Sequence, residues 1–171
     1  KNSPLLQKLV NEFLEKNREG TLIGNILHNR YIRDFDYAGN ALKNEDYRRF
    51  EEVVDLFRHY GQKYGVDYLL AAAQGYQESR LNQSMRSPAA AIGIMQLLPS
   101  TAKDPNVGIE EIFEVEANIH AGIKYLHFIR NRYFSNSEIT PLDQTFFALA
   151  AYNAGPARVR DLRKKAKKAG Y

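Results

Sequence analysis

Nowhere in the 171 residues do apolar and polar side chains alternate with period two for the length a β-strand needs, whereas apolar residues recur at spacings of three and four along most of the chain. That pattern leaves helices packed through apolar stripes, and the expected fold class is predominantly all-α. Ser3-Pro4 offers an N-cap and a proline at the first helical position, and Leu5, Leu6, Leu9, Val10, Phe13 and Leu14 carry a first helix to Gly20. Residues 21–31 suggest a short second helix around Leu22, Ile23, Ile26 and Leu27, and polar residues 33–44, with Gly39, read as a linker.

From Glu45 the stripe resumes with Phe50, Val53, Val54, Phe57 and Tyr60, which Gly61 and Gly65 are expected to interrupt. Asp67 is placed to cap the next helix, running through Leu69, Leu70, Ala73 and Tyr76 toward Arg80, and residues 82–91 form a loop held by Ser87-Pro88. Pro99 opens a short helix that Asn106-Val107-Gly108 ends. A long helix then buries Ile119, Ile123, Leu126 and Ile129. Thr140-Pro141 starts another, with Leu142, Phe146, Leu149 and Ala150 inward, and Gly155-Pro156 stops it. Val159, Leu162 and Ala166 mark a last amphipathic segment.

The content of 44% hydrophobic and 26% charged residues is ordinary for a globular protein and sufficient for one compact domain, or one plus an appendage. No run approaches the roughly 18 apolar residues of a membrane span, and no signal-peptide pattern is present. The chain begins Lys1-Asn2-Ser3-Pro4, which leaves room for a targeting segment or lipid anchor upstream. Absence of cysteine excludes disulfides, thiolate metal sites and a cysteine nucleophile.

Seven of the 24 cations fall in the last 16 residues (Arg158, Arg160, Arg163, Lys164, Lys165, Lys167 and Lys168). This stripe is either a solvated helix face or an attractor for a polyanion such as cell-wall polymer, a lipid surface or nucleic acid. Nucleic acid fits least, because the stripe lacks interleaved aromatics and no reading helix is evident. His28, His59, His120 and His127 form no His-Glu-x-x-His motif, and His120 and His127 share a helix face without a third ligand, so no metal is expected. Without a phosphate-binding glycine loop or a Gly-x-Ser-x-Gly, no cofactor is expected either.

The chemistry concentrates at Gln77-Glu78-Ser79, where a helix runs out into a loop. The negative end of the helix dipole and an apolar surround both disfavour a carboxylate and raise its pKa, which suits Glu78 to donate a proton as a glycosidic general acid. Tyr76 and the small residues Ala71 and Gly75 are expected to leave room for a substrate groove. Ala91-Ile92-Gly93-Ile94-Met95-Gln96 and Ala150-Ala151-Tyr152-Asn153-Ala154-Gly155 are short segments at helix ends where backbone can approach a sugar and amides or a phenol can bond its hydroxyl and acetamido groups.

Glu78-Ser79, Ser87-Pro88, Gly93-Ile94-Met95-Gln96, Asn118-Ile119 with Gly122 and Tyr125-Leu126, and Ala151-Tyr152-Asn153-Ala154-Gly155 occur in the order and spacing of the soluble-lytic-transglycosylase family, which residues 46–163 resemble. The resemblance implies a lysozyme-like fold of the goose type and makes Glu78 the catalytic acid/base. It implies that Ser87 and Tyr152 orient Glu78 or the substrate, that Gln96 and Asn153 contact the sugar, and that Met95 lines the cleft. Gly93 and Gly155 would allow close approach, and Tyr125 either packs or functions. Asn82-Gln83 departs from the family's frequent Asn-Pro, which puts loop rigidity in question.

The resemblance further implies cleavage of the β-1,4 bond between N-acetylmuramic acid and N-acetylglucosamine in peptidoglycan, with 1,6-anhydromuramic acid ends. Motif places only one carboxyl; Asp104, Glu110, Glu111, Glu114, Glu116, Glu138 and Asp143 are candidates for a second. A hydrolytic muramidase on the same fold and a non-catalytic glycan-binding module are the alternatives. Residues 4–31, with Asn11-Glu12-Phe13-Leu14 and Gly20-Thr21-Leu22, resemble the closing helices of a periplasmic solute-binding domain, which F-type membrane-bound lytic transglycosylases join to this catalytic domain. On that resemblance residues 1–44 are the helical tail of such a domain plus a linker, and 45–171 are catalytic. A periplasmic, outer-membrane-associated protein follows, with a membrane anchor and a regulatory solute-binding-like domain upstream of this sequence.

Overall fold

The structure, a computed structural model of the chain, describes Lys8, Asn11, Glu12, Glu15 and residues 44–136 and 139–170. Those first four are helical and exposed. The rest of the helix expected to end at Gly20, the helix expected over 21–31, most of the linker over 33–44, His28 and Glu138 lie outside the described residues. The chain divides into two compact units, Lys1–Tyr47 and Arg48–Tyr171, and the second carries every expected site residue.

Six longer helical elements follow one another among the described residues: α1 Asn44–Tyr64, α2 Tyr68–Ser79, α3 Pro99–Lys103, α4 Val115–Tyr133, α5 Pro141–Ala154 and α6 Pro156–Lys168. Extended pairing among them is limited to two isolated bridges, Arg86 with Ile92 and Ile92 with Leu97. No helix among the described residues is long and apolar enough to cross a membrane.

α1 buries Val53, Phe57 and Tyr60 as its periodicity requires, but Gly61 does not interrupt it. A Cβ on Gly61 would lie 2.8 Å from the Val66 carbonyl and 3.1 Å from the Tyr68 Cβ, so glycine there admits the returning chain. The break comes at Gly65, φ +60, whose carbonyl accepts a 2.6 Å bond from Arg130. Asp67 then caps α2 as expected, its Oδ1 accepting the amides of Leu69 and Leu70 at 2.9 and 3.0 Å.

The inward face of α2 differs from the expected one. Ala71, Ala72, Gln74, Gly75 and Ser79 are buried, while Leu69 is 54% exposed. Small residues face inward because a loop, rather than a helix, packs on α2: a Cβ on Gly75 would meet Ile94 and the Met95 sulfur, each at 3.1 Å. The room that Ala71 and Gly75 were expected to leave for substrate is occupied at Gly75 by this loop.

α4 buries Ile119, Ile123, Leu126 and Ile129, the stripe expected of it. Thr140 caps α5 through the Asp143 amide. Of the expected inward set on α5, Leu149 packs against the larger core cluster, but Leu142 and Phe146 are 56% and 48% exposed and Ala150 is exposed. Ala148 and Ala151 face inward, and Phe147 stacks on Phe134 with ring centroids 5.6 Å apart. On α6 only Val159 is buried; Leu162 is exposed, and Arg163 lies 4.6 Å over the Phe147 ring.

The buried apolar side chains form two clusters. The larger joins α1, α2, the 92–97 loop and the first part of α4; the smaller gathers Ile129, Phe134, Ala148, Ala151 and Val159 beneath α5 and α6. Tyr125 and Tyr152 pack against both, which places the two tyrosines at the seam.

Candidate active site

Glu78 is the penultimate residue of α2, and the chain leaves the helix through Arg80 and Leu81, both left-handed at φ 53 and 59. Two consecutive non-glycine residues in that region store backbone strain directly beside the carboxyl. Leu81 is buried, and Arg80 N–H closes the helix on the Tyr76 carbonyl at 2.8 Å. Ser79 ties the turn to the neighbouring loop: its hydroxyl donates to Ile94 O at 2.8 Å and accepts the Asn82 amide at 3.1 Å.

Glu78 itself is half-buried, one turn after the buried Gln74, whose amide donates to Glu78 Oε1 at 2.6 Å. Burial raises the Glu78 pKa above the ordinary carboxyl value, and the Gln74 bond, which favours the ionised form, offsets part of that rise. The net effect favours the proton-bearing form of a general acid. Among the described residues no second carboxyl contributes to the Glu78 shift. Four of the alternative acids are otherwise engaged: Glu116 accepts the Tyr60 hydroxyl at 2.7 Å, Glu110 lies 3.8 Å from Lys103, Asp143 accepts from Thr140, and Asp104 accepts from Asn106.

Tyr152, from α5, donates its hydroxyl to the Met95 carbonyl at 2.7 Å. Its phenol is held well above its usual pKa, chiefly by enclosure and then by the negative fields of Glu78 and Tyr125, so it remains a neutral donor beside Glu78. Tyr125 meets Tyr152 edge to face with centroids 5.4 Å apart, and burial raises its pKa as well.

The facing wall is the 92–97 turn, closed by reciprocal Ile92 and Leu97 backbone bonds at 2.9 and 3.1 Å. Gln96 adopts φ 45 within it and donates to Gly93 O at 2.9 Å, leaving its half-buried side chain at the turn. Met95 is fully buried and does not line a cleft with its side chain. It is clamped between Gly75 of α2 and Gly122 of α4, where a Cβ would lie 2.5 Å from Met95 Cγ. What Met95 offers the site is its carbonyl, the acceptor for Tyr152.

Gly93 is also explained from within. Its φ is +76, and a Cβ there would fall 2.5 Å from the Gln83 amide oxygen and 2.6 Å from the Asn118 amide nitrogen, so the close approach is made by protein amides rather than by a sugar. At Gly155 an added Cβ would meet open space, and the glycine serves a φ of +84 between α5 and α6. Ser87 Oγ accepts the Ala91 amide at 3.0 Å and shapes its own loop. Asn153 is exposed on α5 next to Tyr152. No hydrogen bond joins Ser87, Gln96 or Asn153 to Glu78 among the described residues, so the geometry brings together Glu78, Gln74, Tyr152, Tyr125 and the Met95 carbonyl.

Sequence reasoning assigned no bonding role to three amides. Besides Gln74, Asn118 is fully buried and satisfies three loop groups, accepting Met95 N at 2.8 Å and donating to Ile92 O and Ile112 O at 2.9 Å each. Gln83 donates to Ile112 O and Phe113 O at 3.1 and 2.8 Å and accepts Ile94 N at 3.1 Å. The rigidity that a proline at that position would supply through φ is supplied here by three side-chain bonds. Asn118 carried a signal, an Asn within the buried stripe of α4; Gln83 carried none, since its partners lie 11 to 30 residues away.

A cavity of about 550 Å³ opens beside Tyr125, between α3 and α4. Glu78 does not line it; Tyr125, which does, meets Tyr152 edge to face.

The transglycosylase SLT domain family model matches residues 55–171. Membrane-bound lytic murein transglycosylase F of Desulfosudis oleivorans is 32% identical over 96% of this chain and 36% of its own length; that of Shewanella sediminis is 35% identical over 99% and 35%. The chain thus spans about a third of the length of the curated relatives it matches. The crystal structure of the 70 kDa soluble lytic transglycosylase of Escherichia coli superposes with a TM-score of 0.51 at 33% identity, covering 63% of this chain and 17% of that one. With the family model covering more than half of its residues, this chain belongs to the transglycosylase SLT domain family.

Proposed function

We propose that the chain is the catalytic part of a peptidoglycan lytic transglycosylase with Glu78 as its single acid/base. The carrying observation is that Glu78 is half-buried at the end of its helix, raised in pKa by burial, with the Gln74 amide rather than a carboxyl as its hydrogen-bond partner among the described residues. A retaining or inverting hydrolase needs two carboxyl groups flanking the bond. A lone carboxyl suffices when the substrate supplies the second function.

In that reaction protonated Glu78 gives its proton to the oxygen linking N-acetylmuramic acid to N-acetylglucosamine, while the acetamido group stabilises the oxocarbenium-like centre. The resulting carboxylate, held by Gln74, accepts the proton of the muramic C6 hydroxyl as its oxygen closes a 1,6-anhydro ring, and no water is consumed. Tyr152 stays neutral and hydrogen-bonded to Met95 O, fixing α5 against the 92–97 turn across the site. Gln96 and Asn153, at the turn and on exposed α5, are the sugar-contacting amides in this reading, with Ser87 shaping the loop before them.

The membrane-bound names of the relatives support association with the cell envelope; in this reading the protein is periplasmic and outer-membrane-associated, with residues 1–44 in a solute-binding-like regulatory domain and its linker and residues 45–171 in the catalytic domain. Mass spectrometry of the products from purified sacculi tests the activity. Anhydro ends, one water lighter than reducing ends, are expected; reducing ends alone assign a muramidase, and no release assigns a binding module.

A further inference from the structure

Along α4, Tyr125, Phe128 and Arg132 follow at spacings of three and four and so share one face of the helix, spanning about 10 Å of its rise. All three line the 550 Å³ cavity, whose other wall includes Thr101, Asp104 and Asn106. An adjoining hollow of about 460 Å³ shares Asn106, Phe128 and Arg132 with it and adds Lys124. The two, taken together as one groove, meet at these three shared residues, and Tyr125, which packs on Tyr152, lines the first.

The polar groups of this groove differ in how far the fold uses them. Asp104 Oδ1 accepts both the backbone and side-chain N–H of Asn106 at 2.8 Å, which holds its carboxyl below the ordinary range. Both ring nitrogens of His127 are engaged, by Tyr64 O at 2.7 Å and the Asn131 amide at 2.9 Å. Lys124 spends one N–H on Val107 O and keeps two. Arg132 makes no hydrogen bond or ion pair with any described residue, although Asp104 lines the same cavity. Its neighbour two residues back, Arg130, is by contrast bound to Gly65 O and Tyr64 O. A planar five-donor fork without a partner among the described residues, in a hollow also lined by aromatic side chains and on the same helix as a second cation, matches a carboxylate.

We propose that Arg132, with Lys124 about two turns earlier on the same helix as a second cation, is a carboxylate-binding site of the substrate groove, taking an acidic group carried on the lactyl arm of the glycan strand while the sugars lie along Tyr125 and Phe128. This rests on the proposed function for the identity of the strand. Two sources share the chemistry: a carboxylate of the peptide stem, or the lactyl carboxylate of a strand from which the stem has been removed.

The test compares wild type, Arg132→Gln and Arg132→Lys on three ligands: peptide-bearing glycan strands, the same strands stripped by an amidase, and N-acetylglucosamine oligomers without any carboxylate. Both kcat/KM for release of anhydro ends and Kd by calorimetry are read, so the groove is tested even if cleavage fails. Arg132→Gln is expected to weaken the acidic ligand by about tenfold, the loss of one charge-assisted interaction, with partial recovery in Arg132→Lys and no change for the neutral oligomer. Loss confined to peptide-bearing strands assigns the stem carboxylate; equal loss on stripped strands assigns the lactyl carboxylate. Unchanged binding of both acidic ligands, or equal loss on the neutral oligomer, overturns the proposal. Absence of anhydro product from wild type would instead refute the transglycosylase reading.

Discussion

The two walls around Glu78 are built by different means. On one side, α2 and the 82–97 loop are held by side-chain amides bonded to backbone: Asn118 satisfies three loop groups, Gln83 three more, and Ser79 ties the helix end to Ile94. On the other side, α5 and α6 bury only Ala148, Ala151 and Val159, expose Leu142, Phe146 and Leu162, and reach the first wall through Tyr152 and Tyr125. An irregular segment buried beside a helix must find partners for every peptide group, and amide side chains provide them where no strand or helix does. A regular hairpin of helices satisfies its own backbone and needs only a thin apolar seam. The carboxyl therefore sits on the amide-braced wall, while the second wall packs on Ile129 and Phe134 through small side chains and meets the first through the Tyr152 hydroxyl.

This contrast is sharpest where it predicts the largest loss. Asn118→Leu leaves Met95 N without a partner in the interior and takes one of two donors from Ile92 O and Ile112 O, which keep Leu97 N and the Gln83 amide; the three lost bonds are expected to lower unfolding free energy by about 3 kcal/mol in chemical denaturation, and a loss below about 1 kcal/mol would show that the loop does not depend on its amide hub. Gly122→Ala pushes a methyl into Met95, which Gly75 prevents from retreating, and about 2 kcal/mol of destabilisation is expected from such overpacking. An unchanged melting temperature would mean that Met95 is free to move.

Much of the amide-braced wall's frame was legible in sequence. The Asp67 cap, the stripe of Ile119, Ile123, Leu126 and Ile129, and the break after Pro99–Lys103 all follow from local spacing, because each depends on neighbours within a turn or two. The filling of that frame was not legible. Gln83 and Asn118 act over separations that leave no local trace, and Met95 reads as a cleft residue only until Gly75 and Gly122 are seen to enclose it. The face of α5 was misread for a related reason: Leu142 and Phe146 satisfy the apolar period, but the seam to α4 is narrow and selects the small residues Ala148 and Ala151.

A subtler effect concerns proton affinity on the same wall. Gln74→Leu removes the one hydrogen bond that favours the Glu78 carboxylate, so the carboxyl, already raised by burial, titrates at higher pH still. The alkaline limb of the kcat/KM profile, where the acid form is lost, is expected to move upward; a downward move would show that the bond favours the acid. The stability sign agrees. A carboxyl whose folded pKa exceeds its unfolded value contributes stability that is present at pH below the unfolded pKa and is lost as pH rises through the folded one, and the variant extends that loss to higher pH.

The smallest effect belongs to the second wall. Leu162→Ser changes a side chain that is 54% exposed on α6, and stability within about 0.5 kcal/mol of wild type is expected. A larger loss by calorimetry would place Leu162 in a contact that α6 does not show.

The central claim is that one carboxyl serves as acid and then as base. Release of anhydro-muropeptides from sacculi by Glu78→Gln, a variant that keeps size and hydrogen-bonding capacity, tests it most directly. A fall of about a thousandfold or more is expected, with circular dichroism and glycan binding retained; turnover near the wild-type rate would refute the single-carboxyl reaction.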